Sequence, residues 1–264
     1  MWLTVLFLML SFLTSFVFLL PIKDERGRYK SFPFMTLGLV LLNTAIHAFF
    51  YHLLPKLIED EETWLTLRWY LMTLPAAVVA GEGLGALSMI TGAFLHSNWA
   101  HLIGNMIFLW FFGRKIENVL GPSKFGLFYL VCILVSEMFG VLSRVALPLT
   151  QGNIPGLGAS GAIMGVVGAY LFLYHDQRIR TLVMLTILPI PFTLQMPAWV
   201  FIIYTVIGDI ARDWLEREAQ AMGFIYSLVG SSAHLGGVIA GLTCLYFFLP
   251  SEILYYRYRP DKTT

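Results

Sequence analysis

Seven segments of this chain are apolar enough, and close enough to a bilayer's width, to cross a membrane: residues 2–21, 34–54, 87–112, 124–147, 157–174, 181–207 and 231–249. A hydrocarbon core takes a helix of about 20 residues. Lipid offers no partner to an unpaired backbone N–H or C=O, so such segments fold as helices and pack as a bundle. No strand-like alternation is read in them. The composition agrees, with 58% hydrophobic and 12% charged residues, far from soluble usage. An all-α, polytopic membrane helical bundle is the expected fold class. The net charge of +1 leaves no basic footprint for nucleic acid.

Positive charge concentrates in alternate connections, which sets the threading. Lys23, Arg26, Arg28 and Lys30 follow the first segment, Arg114, Lys115 and Lys124 the third, Arg178 and Arg180 the fifth, and Arg257, Arg259 and Lys262 the last. The loop 55–86 instead carries Glu59, Asp60, Glu61 and Glu62. Residue 1 is therefore expected outside and residue 264 inside. The first segment lacks the basic start and small-residue cleavage site of a signal peptide, and reads as a retained helix. Within 55–86, TWLTLRWYLMTLPAAVVAGEGLG has the tryptophan and tyrosine of a membrane surface, which predicts an interfacial or re-entrant helix beside the site. Cys132 and Cys244 lie in apolar runs and read as small core residues.

Polar groups at membrane depth are costly and mark cavities or functional sites. GLGASGAIMG holds Ser160 among Gly156, Gly158, Gly161, Gly165 and Gly168, AHLGGVIAG holds His234, and HSNWAHLIGN holds His96, His101 and Asn105. Ser160 falls in the first turn of its helix near the outer surface, where free N–H groups and the helix dipole favour an oxyanion. Taken alone, the small-residue pattern is also ordinary packing between membrane helices. Nor is it the hydrolase elbow G-x-S-x-G, because residue 162 is alanine. His234, at matching depth, could take the Ser160 proton and return it to a leaving amine. His101 and Asn105, four residues apart, share a helix face and suit donation to an anion; without the serine and His234 they would read as an interhelical hydrogen-bond pair. His96 is placed to orient that pair or the outer loop. Asp176 and Asp209 are expected at helix ends, so no acid joins the dyad. With no H-E-x-x-H and nothing to complete a histidine site, neither metal nor cofactor is expected.

These strings resemble the rhomboid intramembrane serine proteases. TGAFLHSNWAHLIGNMIFLWFFGRKIENVLG, LGASGAIMG and AHLGGVIAG occur in family order and, with PIKDERGRYKSFPFMTLGLVLLN, cover most of residues 21–249. The resemblance implies a six-span core with Ser160 as nucleophile and His234 as base. It implies an oxyanion site formed by His101, Asn105 and the Ser160 N–H, with Gly158 and Gly161 supporting, and a structural role for Glu117. It divides the chain into an extra N-terminal span (1–21), a cytoplasmic linker (22–33), the protease core (34–249) and a cytoplasmic tail (250–264). Leu87 and Ser88 depart from the Trp-Arg of many members, and Met164 from an aromatic that often packs on the histidine. The expected activity is cleavage of single-span membrane protein substrates near the outer boundary of the bilayer, in a bacterial cytoplasmic membrane. A silent rhomboid-like protein that binds transmembrane helices is the alternative, and would be expected to lack the serine or the histidine.

Overall fold

A computed structural model of the chain describes residues 17–24, 31–146, 154–185, 191–221 and 230–249. The expected ends of the chain, residues 1–16 and the tail 250–264, lie outside them. Helices dominate: α1 (Phe34–Leu57), α2 (Glu61–Leu71), α3 (Pro75–Ala80), α4 (Ser88–Gly92), α5 (Trp99–Phe108), α6 (Arg114–Leu120), α7 (Pro122–Val145), α8 (Ser160–Tyr174), α9 (Ala198–Ala221) and α10 (Ser231–Phe248). A π-helical turn, Leu109–Gly113, joins α5 to α6.

The all-α expectation needs correction. Strands β1 (Val17–Asp24), β2 (Arg178–Leu185) and β3 (Phe192–Pro197) form an antiparallel sheet in that order. In β2, Ile179, Thr181 and Val183 are buried while Arg178 and Arg180 are exposed, a period-two pattern that averaging for hydropathy hides. The expected span 181–207 is therefore strand first and helix second. Pro191 and Pro197, which cannot continue a helix hydrogen-bond ladder, bracket β3, and α9 starts only at Ala198. Residues 17–24, expected as the end of the first span and the start of the linker, pair with β2 instead, with an irregularity between Pro21 and Lys23. The third expected span is broken as well. Residues 93–98 interrupt it, and α5 begins after Asn98, whose side chain accepts the His101 backbone N–H at 2.9 Å.

Of the described helices, α1 and α7 are long and apolar enough to cross a bilayer, while Ser160–Tyr174, Ala198–Ala211 and Ser232–Phe248 are apolar but shorter. Part of the stretch expected as an interfacial or re-entrant segment forms α2, which Asp60 caps by accepting from the Thr63 N–H, and which exposes Leu65, Trp69 and Tyr70. The Thr63 hydroxyl, bonded to the Asp60 carboxylate, holds that carboxyl below its usual range.

α8 is the centre of the bundle: every residue from Gly161 to Tyr170 is buried. It lies between α7 and α10, with the π-helical turn behind it. At the far end from Ser160, about 15 Å along the helix, the Tyr170 hydroxyl donates to Asp24 of β1 at 3.0 Å. Asp24 also pairs with Lys115 at 2.8 Å, both side chains less than a tenth exposed. Glu117 accepts from the backbone N–H groups of Met35 (2.9 Å) and Thr36 (2.8 Å) and from the Thr36 hydroxyl (2.6 Å). It thus supplies from another helix the cap that Pro33 cannot give α1.

Candidate active site

Ser160 opens α8 at the end of a loop that is tied down on both sides. Gly156 and Thr73 exchange two backbone bonds, at 2.7 and 2.9 Å, and the Gly158 N–H donates to the Gly92 carbonyl at 3.0 Å. Gly158 has φ +113°, and a Cβ there would lie 2.9 Å from the His101 ring, so both conformation and space ask for glycine. The loop delivers the serine to the first turn of the helix, with free N–H groups around it.

His234 stands one turn into α10. A Cβ on Gly237 or Gly241 would collide with the carbonyl of Gly161 or Gly165 respectively, so the backbones of α8 and α10 touch. This brings the two side chains together: His234 Nε2 lies 2.7 Å from Ser160 Oγ. Gly161 faces Ser136 of α7, whose hydroxyl would be 2.6 Å from a Cβ there.

The other imidazole nitrogen also has a partner, which corrects a sequence expectation. His234 Nδ1 lies 2.8 Å from the Asp209 carboxylate. Asp209 is an interior residue of α9, about 16 Å from its start. The expectation placed it beyond a span ending at 207 because the strands were counted into that span. The prolines at 191 and 197 are the signal that would have moved the helix forward and Asp209 inward.

Opposite the dyad, the Ser97 hydroxyl lies 3.1 Å from His101 Nδ1, and His101 Nε2 would be 3.1 Å from a Cβ on Gly158. Asn105 Nδ2 is 3.8 Å from the same point and is buried with no hydrogen-bond partner among the described residues. A buried, unmatched donor beside the Gly158 turn that leads into Ser160 asks for an explanation. His96 packs its ring edgewise on His101 at 5.2 Å, with 1% of its surface exposed. Its carbonyl accepts from Arg68 at 3.2 Å and from the Tyr51 hydroxyl at 3.2 Å.

Arg68, on α2, also donates to the Tyr51 hydroxyl at 2.8 Å and lies over that ring at 4.9 Å. Sequence reasoning missed Arg68 and Tyr51; they join the outer loop to the segment before α5 in a chain that lacks Trp-Arg at 87 and 88. Met164 lines a narrow crevice with His234, Asp209, Val206, Ile210 and Leu235, so a thioether packs where an aromatic was looked for. On the other side of Ser160, a cleft of about 20 Å³ is lined by Glu137, Thr73, Arg144 and Gly158 among others, room for a single water. A hollow of about 450 Å³, lined by Trp99, Met106 and Trp110 among others, does not reach the serine.

The family model described as Rhomboid domain matches residues 85–251, which contain all of these groups except Arg68, Tyr51 and Thr73. Rhomboid protein 1, mitochondrial, of Saccharomyces cerevisiae is 32% identical over 160 residues, 59% of this chain and 40% of its own. Presenilin-associated rhomboid-like protein, mitochondrial, of Rattus norvegicus is 27% identical over 154 residues, 58% and 36%. RHOMBOID-like protein 12, mitochondrial, of Arabidopsis thaliana is 30% identical over 161 residues, 57% and 43%. The chain belongs to the rhomboid family. Its matched part spans less than half the length of these relatives. The expected bacterial cytoplasmic membrane does not stand, since all three are named as mitochondrial proteins.

Proposed function

We propose that this chain is an intramembrane serine endopeptidase acting on membrane-anchored proteins. The observation that carries the reading is the 2.7 Å approach of Ser160 Oγ to His234 Nε2 at the head of α8. As Oγ bonds to the scissile carbonyl carbon, its proton passes to Nε2. The carbonyl oxygen takes the negative charge and is met by the Ser160 N–H, Asn105 Nδ2 and the His101 ring. With the Ser97 hydroxyl donating to His101 Nδ1, Nε2 of that ring carries the proton it gives. When the C–N bond breaks, the imidazolium returns its proton to the leaving nitrogen, and the acyl group stays on Ser160. Water then gives a proton to His234 and attacks the ester carbon; the acyl–Oγ bond breaks, His234 returns that proton to Ser160 Oγ, and the acid product leaves. The narrow cleft beside Glu137 has room for such a water.

Substrates are single-span proteins whose helix unwinds near the end of the bundle where α8 begins, and the membrane is a mitochondrial one, as in the relatives' names. Incubating the purified chain in detergent with a fluorophosphonate probe should label wild type and leave Ser160→Ala unlabelled. Equal labelling of both would remove Ser160 from the reaction. Import of the tagged chain into isolated mitochondria tests its location; its exclusion from their membranes would refute the assignment.

A further inference from the structure

Asp209 lies outside the two-residue machinery just described, yet it touches that machinery directly. We propose that Asp209 is a positioning residue, completing a Ser160–His234–Asp209 triad in which it fixes the tautomer and orientation of the base. The inference rests on the protease reading above.

Both nitrogens of the His234 ring are engaged, at 2.7 Å by Ser160 and at 2.8 Å by Asp209. A carboxylate can only accept a hydrogen bond. The Nδ1 atom therefore carries the ring proton and donates it, and the Nε2 lone pair is left for the serine hydroxyl. Without an acceptor at Nδ1, an imidazole can take either tautomer, and the one protonated on Nε2 cannot act as base.

The surroundings make this control strict. Only 13% of the His234 side chain and 9% of the Asp209 side chain are exposed. The crevice around them, lined by Met164, Val206, Ile210 and Leu235, has no room for a water. An acid among such neighbours is costly to keep, and its carboxylate faces the base at 2.8 Å. During the reaction the proton from Ser160 Oγ goes to Nε2 and later to the leaving nitrogen. Asp209 keeps accepting from Nδ1 throughout and takes no proton. Its charge faces the imidazolium as that cation forms, in a poorly screened setting where the attraction is strong.

The rival account is a tether: the same bond could merely hold α9 against α10. Kinetics with the full chain in detergent and a transmembrane peptide substrate separate the two. Asp209→Asn keeps the shape but can offer Nδ1 the wrong partner, and should lower kcat by at least about 100-fold, with KM within about twofold; in soluble triads, loss of the acid costs roughly 10⁴. The melting temperature should stay near wild type. Asp209→Glu should recover part of kcat. In a His234→Ala background, Asp209→Asn should cause no further loss of residual turnover, because the acid acts only through the imidazole. Full kcat in Asp209→Asn overturns the proposal, as does an additive loss in the His234→Ala background. If Asp209→Asn fails to fold, Asp209→Glu decides: folded with reduced kcat and unchanged KM supports positioning, and unfolded assigns the pair to the tether. Turnover by Ser160→Ala would instead sink the protease reading itself, whereas an inactive Ser160→Ala beside a fully active Asp209→Asn would remove the acid's role alone.

Discussion

Along the wall formed by α8 and α10, glycine lets backbone meet backbone, and the serine and histidine are placed by the contact of two helices. Across the site, the wall formed by α5 and the outer loop is joined by side chains: Asn98 capping α5, Ser97 beside His101, and Arg68 and Tyr51 reaching to the His96 carbonyl. The first wall has no adjustable parts. The second is held by polar bonds that can each be lengthened or lost with little change elsewhere. A nucleophile and base demand a fixed separation, while donors to an oxyanion gain from a surface that can tighten as charge develops. The two walls should therefore fail differently when altered.

The largest effect belongs to the dyad. Ser160→Ala and His234→Ala should each cut peptide cleavage to a small residual rate with little change in thermal stability, and the double variant should be no worse, since residues acting as a unit are not additive. If His234→Ala retained appreciable turnover, the contrast between the walls would lose its basis.

Next comes the donor wall. Asn105→Ala should lower kcat by on the order of 10² to 10³ at nearly constant KM, the usual cost of one oxyanion donor. A change confined to KM would make Asn105 a substrate-binding group.

Gly237→Ala probes the helix contact and reads out as stability. Its methyl group would land on the Gly161 carbonyl, and overpacking of this kind costs about 1–3 kcal/mol or more. The melting temperature should fall, with activity falling alongside it. An unchanged melting temperature would mean that α8 and α10 separate easily, against the picture of a fixed wall.

Arg68→Ala should have the smallest effect, slowing cleavage by about tenfold, roughly the 1.4 kcal/mol of one charge-assisted bond, with the dyad's probe labelling preserved. Arg68→Lys should restore it only in part, because an ammonium can donate to both oxygens that Arg68 Nη2 bonds but cannot lay a planar group over the Tyr51 ring. Wild-type rates in Arg68→Ala would show that the outer loop is held elsewhere, with the Thr73–Gly156 bridge the next place to look.

Much of the site was legible in the chain itself because its parts are local. Glycines flanking Ser160 and following His234, and the four-residue spacing of His101 and Asn105, each express one helix face or one turn. The structure brings all four to one end of the bundle. Glu117 was legible as structural, though its target, the start of α1, was not. Spans were less legible. Hydropathy responds to apolar content alone, so it joined β2 and β3 to α9 and ran the third span through the break at 93–98.

What the sequence determined alone is the chemistry available: a serine and a histidine in apolar, glycine-rich helices, two donors on a third, and almost no charge nearby. What only the tertiary structure decided is which distant groups join them. Asp209 lies 25 residues from His234 in the chain and Arg68 lies 28 from His96, separations at which no helical period or turn rule applies. Their partners are set by how far along its axis each helix begins and by which faces the packed backbones leave open. Moving the start of the helix from 181 to Ala198, as prolines and strand pairing do, takes an acid from a helix end to the back of His234.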